Sequence, residues 1–228
     1  YALGAFFLVT AACLAWELRR NPATRPPRRA GPTHGFFAGA RRVLSRPWPR
    51  VVLACAFLEG LTVYGPFAFV AAYLHERFGI SLAAAGGMIA FFGLGGIAYA
   101  IASERLVRLL RERGLVLAGG VSLVAAYVGL AFATAAWMAI PVSLFLGLGF
   151  YMMHNTLQVN ATQMAPEARG VGMSMFATCF FTGQSIGVAA AALAVDTFGA
   201  RPAFIVAACG VGLLAAGFRA GLRRRPAA

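Results

Sequence analysis

Long apolar runs, separated by short segments that hold nearly all the charge, set the terms on which this chain can fold. The runs lie at roughly 51–74, 82–103, 114–134, 138–161, 169–195 and 201–219, with a shorter one at 1–18. Each of the six is long enough to cross about 30 Å of hydrocarbon as a helix rising 1.5 Å per residue. Hydrophobic residues make up 60% of the chain and charged ones only 12%, whereas a soluble domain carries about 25% charge. The expected fold is an all-α membrane protein with six transmembrane helices over 51–219. A partial helix at 1–18, a basic connector at 19–50 and a tail at 220–228 complete the expected layout. The chain begins at Tyr1, already apolar and without a basic, cleavable leader. Residues 1–18 therefore read as the end of a helix that starts earlier, in a larger protein.

A net charge of +13 over 228 residues raises the question of nucleic acid. The distribution answers it, because the arginines sit in short loops between apolar runs. Eighteen of the twenty basic residues fall in alternate loops, leaving only Arg77 and Arg201 in the other set. By the positive-inside rule, the connector and the C-terminus then face the cytoplasm of a multi-pass inner-membrane protein. Every basic residue is Arg, and with abundant Ala and Gly this suggests a GC-rich bacterial genome. The cysteines, Cys13, Cys55, Cys179 and Cys209, lie within apolar runs without a CxxC spacing, so free thiols are expected and neither metal nor cofactor is.

The connector divides in two. NPATRPPRRAGPT is expected to be extended or disordered, since Pro fixes φ and removes a donor. After it, Phe36, Phe37, Ala40, Val43, Leu44 and Trp48 can share one side of a helix, with Arg41, Arg42, Ser45 and Arg46 opposite. That pattern reads as an interfacial helix on anionic lipid, with a solvated linker as the alternative.

The stretch from His154 to Gly187 joins two spans that are too polar on one side to face lipid alone. Tyr151, His154, Asn155, Gln158 and Thr162 recur at helical spacing, as do Ser174, Thr178, Thr182 and Ser185, with Gln184 nearby. A third stripe is Glu59, Thr62, Pro66, Phe69 and Tyr73. Polar groups in lipid must find partners, and three stripes on three helices point to a shared aqueous cavity. Hydrogen bonding between helices is the alternative for any single stripe.

Glu59 is the one acidic residue deep in a span, nine residues after Arg50 and so about 13 Å along the helix. Intramembrane carboxylates usually face a cavity or a partner. Proton or cation coupling, a structural ion pair and snorkelling to the surface all remain open for it. His154 is expected at the same depth on a helix of opposite direction, and equal depth by itself only permits a contact with Glu59. It can bind substrate, relay a proton or act as a hydrogen-bonded packing residue. Gly65-Pro66 can bend its helix or only pack.

No phosphate-binding glycine loop, HExxH or GxSxG beside a usable His is present, so an enzyme is not expected. PEARG at 166–170 follows an amide-rich helix end. The next span ends in Asp196, and Gly199, Arg201 and Phe204 open the last one. These motifs resemble drug and sugar efflux members of the major facilitator superfamily, and the resemblance covers essentially the whole chain. Glu104-Arg105, with Arg108 and Arg111, resembles that family's acidic-basic loop between helices eight and nine, although Ala100 and Val107 stand where the motif has glycines.

The resemblance implies the C-terminal half of a twelve-helix transporter that works by alternating access, with 51–74 and 138–161 as the cavity-lining helices seven and ten. It also implies that many proton-coupling acids lie in the other half. The expected function is proton-coupled efflux of small organic molecules, drugs or sugars. Glu59 and His154 are the coupling candidates, and Tyr64, Tyr151, Asn155, Gln158 and Gln184 the substrate contacts. Glu104, Arg105, Pro166, Arg169 and Gly170 form the conformational loops. An uptake permease and a non-transporting membrane sensor or scaffold are the alternatives.

Overall fold

The computed structural model describes residues 2–21 and 35–225 and divides into two units, Tyr1–Gly35 and Phe36–Ala228. The segment expected to be extended falls, from Pro22 on, outside the described residues. The first unit contains one helix, α1 (Ala2–Arg20). Its charge gathers in the last turn, where the Arg20 guanidinium lies 4.7 Å from the centre of the Trp16 ring.

The second unit is helical throughout its described residues. A short helix α2 (Phe36–Leu44) is followed by α3 (Pro47–Phe78), α4 (Leu82–Ala131), α5 (Ala136–Gln163), α6 (Pro166–Phe198) and α7 (Ala200–Arg224). These last five are long and apolar enough to cross a membrane. They are five rather than six because the spans expected at 82–103 and 114–134 are joined within α4. α4 nevertheless reverses on itself. Arg111 leaves helical geometry at φ 54° and ψ 178°, the left-handed side of backbone space that few side chains adopt. Before the break, Phe92 lies against Gly147 and Gly96 against Tyr151, so that arm runs with α5. After it, Gly119 lies against Gly149 and Gly129 against Val142, so the second arm runs against α5. The Ser122 hydroxyl donates to the Phe145 carbonyl at 2.7 Å and stitches the second arm in place.

The connector helix stops earlier than the run to Trp48 suggests. α2 ends at Leu44, Arg46 is extended at φ −99° and ψ 142°, and Pro47 opens α3. A residue before proline is pushed out of helical space, while proline itself fits the first helical position. α2 packs through buried Gly39 and Val43, Gly39 resting on Val171 of α6.

α3 is broken in its middle. A π-helical turn occupies Gly60–Tyr64, a short α segment Gly65–Phe67, and regular helix resumes at Val70–Phe78. The buried Tyr127 hydroxyl of α4 donates to the Val63 carbonyl inside the π turn. Further along, the Tyr73 hydroxyl donates to the Leu130 carbonyl at 3.0 Å. Two tyrosines thus tie the π turn and the helix after it to α4.

Candidate functional site

Glu59 is the last residue of α3 before the π turn. Such turns widen a helix by one residue and recur at functional sites. The backbones of α3 and α6 nearly touch here. A Cβ on Gly60 would run into the Phe180 carbonyl, and one on Gly183 into the Phe57 carbonyl. Without a hydrophobic force between helices in lipid, close approach through small residues supplies the packing contact.

The Glu59 side chain is fully buried. Its Oε2 lies 2.8 Å from His154 Nδ1, and the imidazole is 16% exposed. Glu59 Oε1 is buried and has no hydrogen-bond partner among the described residues. Phenyl rings enclose the imidazole. Phe150 stacks on it at 4.8 Å and 22°, and Phe180 and Phe176 lie 5.0 and 5.7 Å away. Tyr64 continues this wall, with Phe150 at 5.2 Å, Phe180 at 5.7 Å and Phe92 at 6.2 Å. Tyr151 joins it through Phe150 at 5.3 Å.

The arrangement suits a held proton. An imidazole and a carboxylate share a hydrogen bond in a water-poor setting, where electrostatic contacts are strong. The unpaired Oε1 leaves the carboxyl room for one more donor, whether its own proton or an N–H or O–H of a bound molecule.

The expected site residues divide. Glu59, His154, Tyr64 and Tyr151 come together. Asn155 and Gln184 are half-buried and Gln158 is exposed, and their side chains make no hydrogen bond among the described residues. On α6, Thr178 and Ser185 bond to the carbonyls of Ser174 and Phe181 in their own helix, both at 2.9 Å. The stripe drawn through Glu59, Thr62 and Pro66 does not hold. Thr62 and Pro66 line a groove of about 320 Å³ against α6 and α7, away from His154. The π turn is the cause, since one extra residue rotates the remainder of the helix by about 100°.

Among the loop residues, Pro166 opens a 3₁₀ turn over Pro166–Ala168 and Arg169 begins the helix proper. Glu167 in that turn pairs with Arg46 at 3.0 Å. Gly170 faces open space. Glu104 and Arg105 are exposed and form no ion pair among the described residues.

Sequence reasoning missed the aromatic wall and a polar knot at the arginine-rich end. Asn160 is fully buried on α5, its Oδ1 accepting from Arg225 at 3.0 Å. Arg225 also donates to Gln163 Oε1 at 3.3 Å and lies 3.8 Å from Glu112. A signal for half of this was present, since Asn160 is an amide within an apolar run; its partner lies 65 residues away, in the tail.

A family model described as Major Facilitator Superfamily matches residues 1–188 of the chain. No curated protein matches it. The match takes in α1, α2, the broken α3, the hairpin-like α4 and all of α5, including Glu59, His154 and the whole aromatic wall. The chain belongs to the Major Facilitator Superfamily, whose members are membrane transporters of small molecules.

Proposed function

We propose that this chain serves a proton-coupled exporter of small organic molecules in which Glu59 and His154 carry the coupling proton. The observation behind this reading is the buried pair itself. A carboxylate deep in a span is costly and is kept where it faces a partner or a pathway, and Glu59 meets His154 at 2.8 Å with its second oxygen unclaimed among the described residues. Protonation of Glu59 would remove the ion pair and release His154 toward the half-exposed side of α5. A substrate would meet Tyr64, Tyr151, Asn155, Gln158 and Gln184 there.

The opposed arms of α4 support reading it as two membrane crossings, which brings the second unit to six and makes it the C-terminal half of a twelve-helix transporter. Its arginine-rich end would face the cytoplasm of an inner membrane. There Arg46–Glu167 and the Arg225 knot would hold the helix ends in one of two alternating conformations.

The test is movement of a panel of fluorescent dyes in vesicles containing the full-length protein under an imposed pH gradient. Gradient-driven dye movement that Glu59→Gln and His154→Ala abolish is the expected result. Equal movement in the variants and the wild type would remove the pair from coupling.

A further inference from the structure

An apolar groove of about 540 Å³ runs down the outside of the bundle between α3 and α6. Arg50 stands at its mouth, at the arginine-rich end, beside Leu44 of α2. The Arg50 Nε donates to the Leu44 carbonyl, which fixes the guanidinium at that position. Below it the walls are hydrocarbon and sulfur, with Ala54 and Leu58 on α3 and Met175 and Cys179 on α6. From Arg50 to Leu58 the helix descends about 12 Å. A cation held over an apolar channel matches a molecule with a phosphate at one end and a chain at the other.

α2 adds an independent observation. Gly39 and Val43 are buried against the bundle, while Phe37 is 87% and Phe36 53% exposed. Arg41 and Arg42 are exposed on the same short helix. Two bare aromatic rings beside two arginines are costly in water and fit the headgroup layer of a bilayer. Neither Arg41, Arg42 nor Arg50 has a carboxylate partner among the described residues. Their charge therefore remains available to an anion.

We propose that the α3–α6 groove binds an anionic phospholipid, its phosphate on Arg50 and one acyl chain along Ala54, Leu58, Met175 and Cys179. The site lies directly behind the buried pair. Met175 and Cys179 face the groove, while Phe176 and Phe180, one residue on, pack against His154. Leu58 lines the groove and Glu59 follows it. A bound chain would brace the contact between α3 and α6 from outside.

Native mass spectrometry of the full chain, released from micelles doped with dioleoylphosphatidylglycerol or dioleoylphosphatidylcholine, tests this. The wild type should retain the anionic lipid about fivefold better, the factor one arginine gains at an anionic surface. Arg50→Ala should bring the two lipids level, and Arg50→Lys should keep the preference. Ala54→Phe fills the channel and leaves every charge in place, so it should lower retention of both lipids. It decides the matter even where Arg50→Ala does not fold. Equal retention of both lipids by the wild type, or unchanged retention by Ala54→Phe, would overturn the proposal. So would a preference lost in the Arg41→Ala/Arg42→Ala double variant but kept in Arg50→Ala, because the surface of α2 would then hold the lipid.

Discussion

His154 Nδ1 lies 2.8 Å from Glu59 Oε2, joining helices whose residues stand 95 positions apart. The contact depends on backbone geometry that neither residue controls. Gly60 and Gly183 bring α3 and α6 together beside it, and the π turn directs the chain after Glu59 elsewhere. The packing around the pair therefore makes predictions independent of transport.

Gly60→Ala and Gly183→Ala should each destabilise the fold by about 1–3 kcal/mol, the usual cost of overpacking. Each Cβ would meet a backbone carbonyl that cannot swing aside. Thermal melting in detergent checks this, with Gly93→Ala as the control, since nothing lies within 4 Å of its added Cβ. A control that melts as low as the two variants would contradict the packing account.

Tyr127→Phe removes the hydroxyl that donates to the Val63 carbonyl and leaves that buried acceptor without its partner. The expected cost is about 1 kcal/mol, at the modest scale of hydrogen bonds in membrane proteins. Hydrogen exchange should quicken over 60–66 while α7 is unaffected. Uniform quickening across the chain would mean that Tyr127 supports the bundle as a whole and not the π turn.

Contrast with the surrounding residues decides how much of this is readable in the sequence. A carboxylate and an imidazole stand out in apolar runs, so Glu59 and His154 are found, and opposite helix directions place them at one depth. Phe150, Phe176 and Phe180 have no such contrast, because phenylalanine is ordinary in a membrane span. The π turn is invisible for another reason. Gly65-Pro66 signals a break, but nothing in the residue pattern says that the widened turn starts five positions earlier, at Gly60. That offset separates Thr62 and Pro66 from Glu59. The reversal at Arg111 is expected as a loop, and the structure makes it with a single non-helical residue.

Arg225→Ala should destabilise the protein more than Arg224→Ala. Arg225 satisfies the buried Asn160 Oδ1, whereas Arg224 is exposed and has no partner among the described residues. An orphaned buried acceptor costs about 1–3 kcal/mol. Equal melting temperatures for the two variants would show that the knot contributes nothing to stability.

The Arg46–Glu167 pair should behave differently. Its side chains are 50% and 32% exposed, so water and salt screen it. A double-mutant cycle with Arg46→Ala and Glu167→Ala should give a coupling below about 1 kcal/mol that shrinks as salt rises. A larger, salt-independent coupling would mean that the turn at Pro166–Ala168 is held more rigidly than the geometry indicates.

Two modes of one transport reaction, compared in vesicles containing the full-length protein, separate proton coupling at Glu59 from alternating access. Exchange of labelled for unlabelled substrate needs only alternating access, whereas accumulation against a gradient also needs the coupled proton. Glu59→Gln should keep exchange and lose accumulation driven by the pH gradient. Accumulation that survives in Glu59→Gln would contradict the account and place coupling on other residues.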